Sequence, residues 1–226
     1  LKNKNWTAII PARNGSKGLS KKNIRKLGGI ELYKYSVACA QNSGANKIIV
    51  STDIEKILSE EQTFIAHKRP PELASDTTLM KDVLLDVLKS RNIQGTVVLL
   101  QPTSPLRKPE SIHKALELQS SGKYDLVLSV SEADKSILKY GQLQGDSFLP
   151  IKEAEYCFSN RQQLPSVYRP NGAIYVFDAE WFIKNDGFTS NKIGAIITPE
   201  EQSIDIDDEH DLAMCQLILD KEKTNP

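Results

Sequence analysis

Cysteine is scarce: Cys39, Cys157 and Cys215 are the whole complement, an odd number with no zinc-ligand spacing. That usage fits a reducing compartment and argues against a disulfide framework or a thiolate metal site. Cys39 and Cys215 fall in helical patterns as small core residues. Histidine is as rare; His67, His113 and His210 form no metal or catalytic spacing and read as structural or surface residues. No apolar run approaches the roughly 18–20 residues needed to cross a bilayer. Leu1–Trp6 lacks the apolar core of a signal peptide, so a cytoplasmic protein away from membranes is the expectation. Net charge is absent too: 29 basic residues offset 29 acidic ones. A protein without a basic field is a poor candidate for nucleic acid, and any anion it binds must be held by a local cluster.

With 39% apolar residues in 226, one domain with a real core is expected. Thr7–Ile10, Lys47–Ser51, Thr63–Ala66, Thr96–Leu100 and Leu126–Val130 read as strands. Between them lie helical patterns over Glu31–Ser43, which stops before Gly44, over Thr78–Asn92, and from Pro109 to Leu118. This alternation predicts an α/β fold with a mainly parallel sheet and ligands at the carboxyl ends of the strands. The pattern breaks over Ser131–Pro170, read as an inserted lobe of hairpins. It returns at Ala173–Phe177, Gly194–Ile197 and Ser203–Asp207, and a last helix runs through Leu219.

The loop after the first strand, Pro11–Asn23, holds four cations, two glycines and no acid. Glycines let backbone N–H groups turn toward an anion, and cations neutralise it. It lacks the Gly-Lys-Ser/Thr ending of a Walker loop and the dinucleotide fingerprint. Position favours phosphate binding; composition alone fits a solvated basic loop equally. Asp205 and Asp207, two residues apart, face one side of an extended segment and could share a hard cation. The alternative for Asp207 is a helix N-cap. Asp208, Glu209 and Asp211 read as first-turn acids that favour the helix dipole. Arg161 and Arg169 suit a carboxylate, which guanidinium grips in a fork. Arg107 reads equally as a surface residue, Tyr175 equally as core, and Asp76, Thr77 and Thr78 read alternatively as an N-cap for the helix near Leu79.

Several blocks together resemble one family. Pro11-Ala12-Arg13, Gly15-Ser16-Lys17-Gly18 and Lys22-Asn23 are similar to the start of the acylneuraminate cytidylyltransferases. So, in order, are Arg69–Asp76, Gln101-Pro102-Thr103-Ser104-Pro105-Leu106-Arg107, the segment from Arg161 to Tyr175, and Ser203–Asp207. Threonines at 77 and 78 stand where family members often carry serines. The resemblance implies a three-layer Rossmann-like nucleotidyltransferase fold with a small inserted dimerisation lobe near residues 131–170. It implies CMP transfer from CTP to N-acetylneuraminic acid or a close nonulosonic acid, in a homodimer. Ala12, Arg13, Asn14, Lys22, Asn23, Arg69, Thr77 and Thr78 would meet the nucleotide, and Gln101, Ser104, Arg161, Arg169, Asn171 and Tyr175 the sugar. Asp205 and Asp207 would hold Mg2+, or Mn2+, while Arg13, Lys17, Lys22 and Asp207 act in the chemistry. The general base stays open between Asp207 and a metal-bound hydroxide. Rival acceptors are legionaminic, pseudaminic and 3-deoxy-manno-octulosonic acids; a rival class is a nucleotide-binding regulatory module without catalysis.

Overall fold

The computed structural model describes residues 5–16, 18–60 and 63–224. In chain order the elements are β1 (Trp6–Ala12), β2 (Lys26–Leu27), β3 (Ile30–Glu31), α1 (Leu32–Asn42), β4 (Lys47–Thr52) and α2 (Glu55–Ser59). There follow β5 (Ile65–Lys68), α3 (Met80–Ser90), β6 (Thr96–Leu99), α4 (Pro109–Ser120), β7 (Leu126–Ala133), β8 (Gly141–Gln144) and β9 (Ser147–Pro150). The last are β10 (Val167–Asp178), α5 (Ala179–Lys184), β11 (Ile193–Ile197) and α6 (Glu209–Thr224).

Seven strands form one sheet in the order β11-β7-β10-β6-β1-β4-β5. The pairs β6–β1, β1–β4, β4–β5 and β7–β11 are parallel, and β10 runs antiparallel to β6 and β7. Alternation along β1 explains the layers. Ala8, Ile10 and Ala12 point to the face with Val37 of α1 and Ile112 of α4. Ile9 points to the other face, with Leu84 and Leu88 of α3 and Phe182 of α5. Both faces are apolar, so the central strands read as continuous hydrophobic runs. The three-layer α/β reading therefore holds, with strand ends within three residues of expectation except at β10, which starts six residues early.

Three sequence expectations change. Leu79 is not the first core residue of α3; it is 58% exposed and ends the preceding turn, with no side-chain cap, so neither Thr77 nor Thr78 caps the helix. Ser203–Asp207 pairs with no strand, although burial still alternates: Ile206 is buried while Asp205 and Asp207 are exposed. The irregular segment is shorter than 131–170. β7 continues to Ala133 and β10 begins at Val167, and these ends pair as an antiparallel arm, Arg169 opposite Ser131. Beyond that arm stand the β8–β9 hairpin and short 3-10 turns.

A third apolar cluster fixes the carboxyl end of the chain. Leu19, Leu27, Leu32, Leu106, Ile206 and Cys215 pack together, with α6 lying across β2. No helix among the described residues is long and apolar enough to cross a membrane.

Phe182 is fully buried and stacks within 4.7 Å of the Phe177 ring centre, on the face away from α1 and α4. Phe182→Ala is expected to cost about 3–5 kcal/mol in urea unfolding. Its ligand affinities, measured on the folded fraction, should match the parent's.

Candidate active site

The parallel strands β1, β4, β5 and β6 end on one edge of the sheet, and the loops that leave them enclose a cleft of about 600 Å³. Arg13, Ser16, Gly18, Lys22 and Asn23 come from the loop after β1. Arg69, Asp76 and Met80 follow β5, Gln101, Pro102 and Thr103 follow β6, and Asp207 precedes α6. Lys17 lies outside the described residues.

The loop after β1 is held by its own side chains. Asn23 is buried and donates to the Arg13 carbonyl at 2.7 Å. Arg13 folds back onto the Gly15 carbonyl at 2.7 Å and reaches Asp76 at 2.5 Å. The Asn14 side chain accepts from the Gly15 N–H at 3.0 Å, and the Asn14 N–H is taken by the Asp53 carboxylate at 2.6 Å. Lys21 adopts the left-handed conformation at φ 54° and leaves its side chain in solvent, while Lys22, one residue on, enters the cleft. Ala12 is buried in β1 within the core on the α1–α4 face and does not line the cleft. Gly18 has no room for a side chain, because an added Cβ would stand 2.5 Å from the Asp207 carbonyl oxygen.

Arg69 is buried against Ser51, with hydrogen bonds to its hydroxyl at 3.2 Å and its carbonyl at 3.0 Å. Burial, partly offset by Asp53, pushes its guanidinium down to about 10, so it stays charged at neutral pH. Thr77 and Thr78 engage Ser75 at 3.1 and 2.8 Å in a local hydroxyl cluster.

The alternative left open for Arg107 is settled. The residue is buried rather than on the surface, donating to Ser36 Oγ at 2.9 Å and to the Gln101 carbonyl. It thus props the loop that carries Gln101, and burial lowers it to about 10. Ser104 is fully buried, and its hydroxyl has no hydrogen-bond partner among the described residues.

Asp205 and Asp207 sit at the cleft's edge. Asp207 pairs with Lys22 at 2.9 Å. Asp208 caps α6 instead: it accepts from the Asp211 N–H at 3.0 Å, and Asp211 accepts from the N–H groups of Asp207 and Asp208 at 2.9 and 3.2 Å. The Asp207 carboxylate is thereby released from capping. The Asp205 carboxyl is raised above the usual range, first by loss of solvent around it and further by Asp207 and Asp211, with Thr103 and Lys22 pulling the other way. The residue as a whole is exposed, so this desolvation is local to the carboxyl, which points at Gly172 and Gln101. A pair of mutually repelling carboxylates is chemically suited to a divalent cation. Among the described residues no cluster of three or more His, Cys, Asp or Glu could hold one. Magnesium fits such a site, since it keeps several waters and is held by one or two carboxylates plus substrate phosphate.

The acceptor-side residues separate. Gln101 and Tyr175 stay near Asp205; Tyr175 packs on Phe188 at 5.7 Å, and its hydroxyl is raised first by burial and then by Asp205. Asn171 is not free for a sugar. It is buried, bonded to Ser129 Oγ at 2.6 Å, Thr198 Oγ1 at 2.7 Å and Ser203 Oγ at 3.1 Å, and it accepts the Ala173 N–H at 3.2 Å. That network holds the bulge where the β7–β10 register shifts. Arg169 lies exposed on the arm, and Arg161, 71% exposed, pairs with Asp134 at 3.3 Å within the lobe. Neither lines the cleft.

Residues 7–192 match the family model described as cytidylyltransferase. The chain belongs to the cytidylyltransferase family. Among curated members it is 35% identical to N-acylneuraminate cytidylyltransferase of Streptococcus agalactiae serotype V, over 90% of this chain and 50% of that one. It is 33% identical to CMP-N,N'-diacetyllegionaminic acid synthase of Legionella pneumophila, over 94% and 95%. The chain thus spans half the length of the first relative and nearly all of the second. Its fold is shared with a solved CMP:2-keto-3-deoxy-manno-octonic acid synthetase complexed with CTP, at TM-score 0.71 and 15% identity over 97% of this chain and 100% of that one. A 4-diphosphocytidyl-2C-methyl-D-erythritol synthase from Anaerococcus prevotii gives 0.62 and 15% over 96% and 99%. Cytidylyltransferase membership and fold thus agree with the reading from the motifs.

Asp53, Asp76 and the buried Arg107 were missed as partners by sequence reasoning. Position just past a strand end was the available signal for Asp53. Asn171→Ala should cost about 2–4 kcal/mol in chemical denaturation, because it strands buried hydroxyls. A residue that only touched sugar would leave that midpoint in place.

Proposed function

We propose that this chain transfers CMP from CTP to the anomeric hydroxyl of N-acetylneuraminic acid or a closely related nonulosonic acid, releasing pyrophosphate. The observation that carries this reading is the convergence of Arg13, Lys22, Arg69 and Asp207 on one cleft at the carboxyl ends of parallel strands, with Asp205 beside Asp207 and Lys22. Three cations suit a triphosphate, and two carboxylates suit the magnesium, or manganese, that accompanies it. The N-acylneuraminate and legionaminic relatives support a nonulosonic acceptor.

Displacing pyrophosphate from the α-phosphorus builds negative charge on the leaving oxygens. Arg13 and Lys22 stabilise that charge, each by about 3–4 kcal/mol if they act as oxyanion donors do. Arg69 adds a fixed charge from beneath the cleft, where exclusion of water strengthens it. Bound to Asp205 and Asp207, the metal would neutralise phosphate oxygens and orient the leaving group. Gln101, propped through its carbonyl by Arg107, presents its amide toward the acceptor hydroxyls. Once Lys22 turns to phosphate, Asp207 has one carboxylate oxygen for the metal and the other to take the acceptor proton. The reaction is then mainly positioning and charge neutralisation.

The acceptor half calls for a second copy of the chain. Arg161 and Arg169 lie outside the cleft, and the lobe that bears Arg161 exposes Tyr140, Leu143, Phe148, Leu149 and Phe158. Leu143 and Phe148 stand opposite each other in the hairpin. Such a patch marks an association surface, and a homodimer would cover it and offer arginines to the partner's cleft.

Pyrophosphate release from CTP should appear with N-acetylneuraminic acid or with legionaminic acid in a panel that also holds pseudaminic and 3-deoxy-manno-octulosonic acids. Asp205→Ala should lower kcat roughly 100-fold. A protein that binds CTP yet stays silent across the panel would be a binding module instead. Sedimentation at micromolar concentration should give a dimer, and Leu143→Glu with Phe148→Glu should give a monomer; a monomeric parent removes the dimer.

A further inference from the structure

Three carboxylates already occupy the donors of the loop after β1. Asp53 takes the Asn14 N–H at 2.6 Å, Asp76 takes Arg13 Nη2 at 2.5 Å, and Asp207 takes Lys22 Nζ at 2.9 Å. They come from three places in the chain: just past β4, the turn before α3, and the segment before α6. The groups they occupy are those a polyphosphate would use.

The three contacts are not equivalent. Asp53 holds a backbone N–H and so shapes the loop. Asp207 has a part in metal binding. Asp76 meets Arg13 side chain to side chain, the two 28% and 30% exposed and both on the cleft wall. The segment that carries it is bonded chiefly to itself, through Ser75, Thr77, Thr78 and the Glu72 carbonyl at 3.4 Å. A swing of Asp76 therefore breaks no strand or helix.

A carboxylate oxygen and a phosphate oxygen make the same charge-assisted bond to a guanidinium. Both cannot hold Arg13 Nη2 at once, and a carboxylate left beside an arriving polyanion is repelled. We propose that Asp76 is an internal anion that occupies Arg13 in place of phosphate, so that nucleotide entry and pyrophosphate departure are exchanges with Asp76. This rests on the cleft being a polyphosphate site. Asp76 then weakens phosphate binding and speeds release, the reverse of what a wall residue normally does.

The test is calorimetric titration of the full chain and of Asp76→Asn with sodium pyrophosphate, CTP and cytidine. Asp76→Asn keeps the shape and removes the charge, and matching thermal melts show that it is folded. It should bind pyrophosphate and CTP about 2- to 5-fold tighter, the range expected for a partly exposed ion pair. The gap should shrink as salt is raised, and cytidine affinity should not change. Pyrophosphate binding by Asp76→Asn that is equal or weaker overturns the exchange, and so does an altered cytidine affinity. Tighter pyrophosphate binding in a protein that ignores CTP keeps the exchange and sinks the cytidylyl reading. Failure of every ligand with both proteins sinks both.

Discussion

The burial of Ile206 holds the candidate site together. Its side chain is fully buried with Leu19 of the loop after β1, Leu106 of the loop after β6, and Cys215 of α6. Its N–H bonds the Thr103 carbonyl at 2.8 Å. One apolar residue thus gathers three segments that are far apart in sequence, and its neighbours Asp205 and Asp207 turn outward as a result. Magnitudes favour this reading over the ion pairs. Burying an isoleucine is worth about 1.5–3 kcal/mol, whereas an exposed salt bridge gives about 0–1. Lys22–Asp207 has a carboxylate that is 77% exposed, so it aims the side chains without fastening the segments. Gly18 completes the contact by letting the loop lie on the Asp207 backbone.

Two buried arginines, Arg69 on the cleft wall and Arg107 behind the loop after β6, are hydrogen-bonded to neutral acceptors among the described residues. Arg69 binds Ser51, and Arg107 binds Ser36 and the Gln101 carbonyl. Leaving a guanidinium buried on neutral acceptors is costly, and burial accordingly lowers both to about 10. At neutral pH they remain cations. Fixed, poorly screened positive charge is what a site for a polyanion needs, and neutral partners leave it uncancelled. Arg13 and Lys22 are the opposite case: each is paired with a carboxylate, Asp76 and Asp207. The cleft therefore joins a permanent positive field to two exchangeable contacts.

Much of this was legible in the chain, and the reason differs by element. The central strands and α1, α3 and α4 announce themselves through apolar period and flanking glycine or proline, which are local signals. Lys22 rather than Lys21 entering the cleft, and Ile206 hidden between two exposed aspartates, follow from alternation or from motif position. Asn171 misled because Asn-Gly is a turn signal in isolation, while its side chain is consumed by Ser129, Thr198 and Ser203, three residues distant in sequence. Arg107 is ambiguous in the sequence for the same kind of reason. Nothing in its neighbours says that Ser36 and the Gln101 carbonyl will close over it. His67 did behave as a structural residue, with Asp86 at 2.7 Å on one ring nitrogen and Arg91 at 3.1 Å on the other. Because Arg91 donates to Nδ1, that nitrogen accepts and the Nε2 N–H faces Asp86, so both ring nitrogens are used in holding β5 to α3.

The two halves of the cleft are built differently, and that difference bears on how the chain would work. Loops that leave β1 and β6 are pinned by Asn23, Asp53 and Arg107, so on the proposed function the phosphate-facing part of the cleft is ordered within one chain. The arginines expected to meet an acid sugar ride on an exposed arm and a lobe whose apolar side chains face solvent. A half that is ordered beforehand gains affinity without paying for ordering at each encounter. A half completed by a second copy gains its carboxylate grip only in the assembled protein. Nucleotide affinity should then be a property of the single chain, and acceptor selection a property of the pair.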